Sequence, residues 1–207
     1  SSKKVFDGIS LSFKKGYIYG IHGKSGQGKS TLFKIITGIY QPTEGKVVIN
    51  DTDLLNMDIN SYWENIGYVM QRTQFFNDTV RKNMELLHVV SDEELDEVAK
   101  FLDLYDEIHS LENVWDTEIK ADPCNFSEGQ MRRLDIMRNI LKSSQIFVFD
   151  EATANIDGKR RERFYQLLHE LSVTKIIIFS THNMEELKQA DIIVDLDKLN
   201  MRQVCET

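Results

Sequence analysis

Cysteine is nearly absent: Cys124 and Cys205 are the only two in 207 residues, far apart along the chain. That argues against a disulfide framework and fits a reducing compartment. Long apolar runs are absent as well. "IIIF" and "IFVF" fall far short of the about 20 residues that a membrane-spanning helix needs, and read instead as buried strands. No leader peptide is expected, since "SSKK" is polar and no apolar core follows it. A basic excess is also missing. With 25 Lys and Arg against 33 Asp and Glu, the net charge is −8. This argues against a general nucleic-acid binder, so no nucleic acid is expected among the partners. A local basic patch, for instance Lys159, Arg160, Arg161 and Arg163, reads as a solvated helix face. Internal repeats and low-complexity linkers are absent too. What is present, 41% hydrophobic and 28% charged residues, describes a globular, soluble chain of one domain, or of a domain with a subdomain.

Short apolar runs alternate with helical patterns, which predicts an α/β fold with a mostly parallel sheet. "ISLSF" has period two, "KKG" turns the chain and "YIYGI" follows. These three predict a small amino-terminal antiparallel β part. A glycine-rich loop and the helix "STLFKIITG" come next, with Gly38 placed to end the helix. "GKVVIN" and "IGYVMQ" predict further strands. From Thr79 to Leu111 strand patterning stops. "SDEELDEVAKFLDL" carries a capping box, Ser91 with Glu94, and an apolar stripe of Leu95, Val98, Ala99 and Leu102. This predicts an α-helical subdomain at about residues 72–144, inserted in an α/β core made of 1–71 and 145–207. "NFSEGQMRRL" starts the helix that leaves it. "IFVFDE", "DGKRRERFYQLLHEL", "KIIIFSTH", "NMEELKQAD" and "IIVDLD" then repeat the strand–helix rhythm.

Gly23-Lys24-Ser25-Gly26-Gln27-Gly28-Lys29-Ser30 matches G-x-x-x-x-G-K-[ST] between a predicted strand and a predicted helix. That context makes the pattern a phosphate loop, and the core a P-loop NTPase core. Its glycines let backbone N–H groups converge on the β- and γ-phosphates. Lys29 supplies a point charge to the same oxygens. The Ser30 hydroxyl suits Mg²⁺, and Thr31 completes the nucleotide-binding run. Asp150 ends "IFVF", where a parallel strand would deliver it beside the loop for water-mediated Mg²⁺ binding. Glu151 follows, in position to polarise an attacking water. His182 ends "IIIFSTH" at a carboxyl strand end, where α/β proteins bind ligands, and could reach a γ-phosphate. Gln71, ending "GYVMQ", is a weaker instance of the same pattern, and it joins Ser30 and Asp150 as a candidate Mg²⁺ contact.

Taken together, these residues resemble the nucleotide-binding domain of an ATP-binding cassette (ABC) transporter. "GKSGQGKST" resembles its Walker A loop, "IFVFDE" its Walker B strand and "FSEGQ" its signature motif. Gln71 falls at the Q-loop, "EATANID" resembles the run into the D-loop ending at Asp157, and His182 resembles the switch histidine. The motifs occur in order over nearly the whole chain. The resemblance implies ATP and Mg²⁺ as ligands and a head-to-tail pair of cassettes, identical or different. Ser127, Glu128, Gly129 and Gln130 of one would complete the ATP site on the Walker A loop of the other. It also implies a transmembrane domain as partner, reached from the cytoplasmic face, so that this chain is a separate subunit or part of a longer protein. "QRTQFFNDTVRKNMEL" and "EIHSLENVWDTEI" look exporter-like.

Several departures accompany the resemblance. Glu128 stands where glycine is usual, and a carboxylate beside a triphosphate is electrostatically unfavourable unless it points away. "KADPCN" lacks the glycines and glutamate of the exporter X-loop, "STHNMEEL" looks more importer-like, and "DKLNMRQVCET" lacks the expected glycine turn. The adenine-stacking aromatic should lie several residues before Val5. Its absence should weaken base binding by about 1–3 kcal/mol. Phe6 is the nearest aromatic, and its register suggests a core residue. Two other readings stay open: a soluble ABC ATPase outside transport, and a degenerate cassette that binds ATP with little hydrolysis.

Overall fold

The computed structural model describes residues 4–86, 88–120, 124–154 and 156–201. β1 (Ile18–His22) runs straight into the glycine-rich loop and α1 (Lys29–Ile36). The helix ends at the expected glycine. Gly38 has φ 73° and its N–H reaches the Ile35 carbonyl at 3.1 Å, a left-handed turn that side chains resist. "GKVVIN" supplies only a short strand, β2 (Val48–Ile49), paired antiparallel with β3 (Thr52–Asp53). α2 (Ile59–Glu64), capped by Asp58, and β4 (Ile66–Val69) follow.

Among the described residues, four α-helices separate β4 from the next strand: α3 (Val80–Met84), α4 (Asp92–Phe101), α5 (Tyr105–His109) and α6 (Glu128–Leu141). The capping box of α4 forms with both of its hydrogen bonds, and Leu95, Ala99 and Leu102 of its stripe are buried. β5 (Ile146–Asp150), α7 (Gly158–Ser172), β6 (Ile176–Ser180), α8 (Met184–Leu187), β7 (Ile192–Asp195) and α9 (Leu196–Met201) complete the order. Among the described residues, no helix is long and apolar enough to cross a membrane.

The main sheet is wholly parallel, in the order β4-β5-β6-β1-β7. The expected pairing of "ISLSF" with "YIYGI" does not occur. Both edges of β1 are occupied, by β6 on one side and β7 on the other, so no antiparallel partner can bond there. Residues 9–13 form no strand, and Ile9, Leu11 and Phe13 pack their side chains against Tyr19, Ile21, Leu32 and Phe33. Antiparallel pairing appears instead in the β2–β3 hairpin.

Strands buried on both faces read as unbroken apolar runs. In β5, Phe147 and Phe149 join the core on the α6–α7 side, while Val148 joins Leu32 and Phe33 of α1 on the other. Rings of Phe147, Phe149, Phe164, Tyr165 and Phe179 succeed one another at 5.2–6.1 Å between centroids and seat α7 on β5 and β6. The basic cluster of α7 differs from the solvated face expected of it. Arg163 pairs with Asp103. Arg160 bonds Glu107 at 2.7 Å and Asp157 at 3.0 Å, and Arg161 bonds Glu186 at 3.0 Å. Acidic residues from α8, from the α4–α5 region and from the α7 cap therefore pair its three arginines, while Lys159 is exposed as expected.

Candidate nucleotide site

All five parallel strands end on one edge, so residues that follow different strands meet there. β1 delivers the glycine-rich loop. Gly26 has φ 80° and Gly28 φ 98°. No side chain caps α1, because its N-cap is Gly28 itself, so the first N–H groups of the helix remain available to an anion. Lys29 is buried and its Nζ donates to the Gly23 carbonyl at 2.7 Å, which folds the ammonium back over the loop. Lys24, Ser25 and Gly26 are exposed at the loop tip, and Gln27, Ser30 and Thr31 are half-buried.

β5 delivers Asp150 and Glu151 one strand away, across β6. Asp150 is buried and accepts a hydrogen bond from Ser180 Oγ at 2.8 Å. The same hydroxyl oxygen accepts from the Glu151 N–H at 3.1 Å. Glu151 has φ 52°, a left-handed conformation costly for a residue with a side chain. Its carboxylate takes two partners from other strand ends. His182 Nε2 lies 2.7 Å from Oε1, and Gln71 Nε2 donates to Oε2 at 3.1 Å. The structure thus brings together three residues that the sequence singled out separately.

The turn at Ser127–Gln130 and Asp157 lie at other helix starts. Ser127 and Gln130 close a capping box at the start of α6: Ser127 Oγ accepts from the Gln130 N–H at 3.2 Å, and Gln130 Oε1 accepts from the Ser127 N–H at 2.8 Å. This uses one of the two lone pairs of the Ser127 hydroxyl and leaves its hydrogen to donate. Gly129 is half-buried, and Glu128 is exposed in the first turn, where the helix dipole favours a carboxylate. Asp157 caps α7 by accepting from the Arg160 N–H at 3.2 Å, and that bond holds its carboxyl below the usual range.

Sequence reasoning missed several neighbours of these residues. Arg132 of α6 donates to the carbonyls of Met70 at 2.5 Å and Gln71 at 2.6 Å. Burial lowers the pKa of this guanidinium, against the pull of Asp135, Asp150 and Glu151. Val5 and Phe6 crowd the loop: a Cβ on Gly28 would come within 2.5 Å of Val5 Cγ1 and 2.7 Å of Phe6 Cζ. Phe6 does pack on the core, as its register suggests, and its ring also walls the loop. Ser180 and Glu186 carried no motif that would have marked them. Ala121, Asp122 and Pro123 of "KADPCN", Asn155 of "EATANID" and residues 202–207, with Cys205, lie outside the described residues.

An uncapped helix behind a glycine loop, facing carboxylates at a parallel sheet edge, defines a nucleotide-binding P-loop protein. The chain belongs to the ABC transporter family, whose model matches residues 6–154. It is 33% identical over 200 residues to a probable ABC transporter ATP-binding/permease protein of Haemophilus influenzae, covering 96% of this chain and 36% of that protein. It is 32% identical to the alpha-hemolysin translocation ATP-binding protein HlyB of Escherichia coli, covering 95% of this chain and 28% of that one. A bacterial Atm1-family ABC exporter solved with ATP bound superposes with a TM-score of 0.88 at 28% identity, over 95% of this chain and 35% of the exporter. The chain therefore spans about a third of the length of such relatives.

Proposed function

We propose that this chain is the ATPase cassette of an exporter-type ABC transporter. The observation that carries the reading is Glu151, held by Gln71 and His182 on the sheet edge that also bears the phosphate loop. ATP is the substrate, bound by residues 23–31 with Lys29 on its phosphates. Attack of a water oxygen on the γ-phosphorus forms one P–O bond and breaks the bond to the bridging oxygen, which leaves with ADP. Glu151 accepts the water's proton, and His182 orients the carboxylate.

Mg²⁺ fits the donors at this edge. Among the described residues no three His, Cys, Asp or Glu side chains gather as a metal cage. Mg²⁺ needs none, since phosphate and water fill most of its octahedron. Ser30, Gln71 and Asp150 offer it hard oxygen atoms. When bound, it would neutralise charge on the transferring phosphate.

The donors left at the start of α6 support a second role. The Ser127 hydroxyl and the Gly129 N–H would contact the γ-phosphate held by a second cassette, head to tail, so that each chain serves two sites. Dimerisation and release would then drive a transmembrane domain from the cytoplasmic face of a membrane. The test is the solution mass of Glu151→Gln, by light scattering, with and without excess Mg²⁺-free ATP. A shift from monomer to dimer is the expected result. A persistent monomer at saturating ATP would remove the sandwich from the reading. Glu128→Gly is expected to strengthen ATP-driven dimerisation and raise turnover by about fivefold, because a carboxylate leaves the neighbourhood of a triphosphate. Identical dimerisation and turnover in that variant would mean that the carboxylate points away from the nucleotide.

A further inference from the structure

Glu186 lies on α8, four residues beyond His182, in a stretch that reads as an ordinary polar helix. Its carboxylate is buried, yet it is fully engaged. One oxygen, Oε2, accepts three hydroxyls: Thr153 Oγ1 at 2.7 Å, Thr181 Oγ1 at 2.7 Å and Tyr165 OH at 2.9 Å. The other, Oε1, accepts from Arg161 at 3.0 Å and Asn183 Nδ2 at 3.4 Å. Burial alone would raise the pKa of this carboxyl. The hydroxyls and the arginine bring it below the ordinary glutamate value, so it is charged at neutral pH.

The donors come from three elements. Thr153 stands two residues after Glu151, and Thr181 stands next to His182. Tyr165 belongs to the ring ladder that seats α7 on the sheet. Glu151 needs such support. Its φ of 52° is strained, and a strained residue persists only where its surroundings over-determine it. Ser180 secures it from the amino side through its N–H. Thr153 and Glu186 secure the chain on the carboxyl side. Apolar packing would hold these elements at less cost in desolvation than a buried charge, but would not set two loops in one register.

We propose that Glu186 is a positioning residue for ATP hydrolysis: its buried carboxylate ties the loop that carries Glu151 to the loop that carries His182 and sets the contact between them. The inference rests on the reading of Glu151 as the hydrolytic carboxylate. It is tested on the full chain by comparing steady-state turnover and nucleotide affinity for the parent, Glu186→Gln and Thr153→Val. Glu186→Gln keeps the shape but sets an N–H donor against hydroxyls or against Arg161. Its kcat is expected to fall by about 10- to 100-fold, with KM and the ATP dissociation constant within about threefold of the parent. Thr153→Val removes one of the three hydroxyls and is expected to lower kcat by about 3- to 10-fold in the same way. Unchanged kcat in Glu186→Gln beside an active parent would overturn this inference alone. So would a loss of turnover matched by an equal loss of nucleotide-binding sites, the mark of a merely structural role. If circular dichroism finds Glu186→Gln unfolded, Thr153→Val decides on the same terms. A parent that binds ATP without turning it over would overturn the role of Glu151 first, and this inference with it.

Discussion

Glu151→Gln is expected to lower ATP turnover by about 100-fold or more while leaving ATP affinity within a few-fold of the parent. The loss corresponds to about 2.7 kcal/mol or more in the barrier. The side chain keeps its length and its place above β5, and the backbone bond from its N–H to Ser180 is untouched. What disappears is the negative charge that, in the proposed mechanism, accepts a proton. His182, 2.7 Å away, would then face an amide rather than a carboxylate. The phosphate loop is built from other residues, so binding should survive. Phosphate release in steady state and titration calorimetry with ATP measure the two halves. Turnover equal to the parent's would remove Glu151 from the mechanism. Parallel loss of turnover and affinity would make it a binding residue.

A methyl group at Gly28 should do the reverse and remove binding itself. Gly28→Ala is expected to weaken ATP affinity by about 100-fold, because small misplacements of a binding loop cost on that scale. Two effects add. Alanine resists φ 98°, at about 1–2 kcal/mol. Its Cβ would also meet Val5 Cγ1 at 2.5 Å and Phe6 Cζ at 2.7 Å. Phe6 cannot retreat freely, since it packs against the cluster of Leu32 and Phe33. Gly45→Ala separates the two effects: φ there is 83°, with no atom within 4 Å of an added Cβ. It should lose some melting temperature and no ATP affinity. Equal affinities for Gly28→Ala and the parent would mean that the loop and the amino-terminal segment part easily.

The two variants differ in how far their outcome could be foreseen. Gly28 was marked by a local pattern of eight residues, and the structure then gave it φ 98°. The clash with Val5 and Phe6 did not follow from that pattern, because nothing in "KKVFDG" says that it returns to the loop. The capping box at Ser91 was legible for the same reason as the glycine: both partners lie within one helical turn. At Ser127 only the helix start was legible, and its capping box with Gln130 emerged in the structure. "ISLSF" shows the opposite case. Its alternation correctly gives an inward face, with Ile9, Leu11 and Phe13 against the core. It cannot say whether the backbone finds a free strand edge, and here β6 and β7 had taken both.

Local chemistry in the chain was therefore enough for the glycine-rich loop, the helix starts, the alternation of strands with helices and the identity of Asp150, Glu151 and His182 as residues at strand ends. Periodicity and motif spacing act over a few residues, and each of those features is complete within such a span. Folding alone settled the strand order, the pairing of Glu151 with His182 and Gln71, the grip of Arg132 on the Gln71 carbonyl, and the burial of Glu186 beneath Thr153 and Thr181. Gln71 meets Glu151 across 80 residues of sequence, and Thr153 meets Glu186 across 33. Period two and period 3.6 report which face of a strand or helix turns inward. They carry no record of which distant element will cover that face.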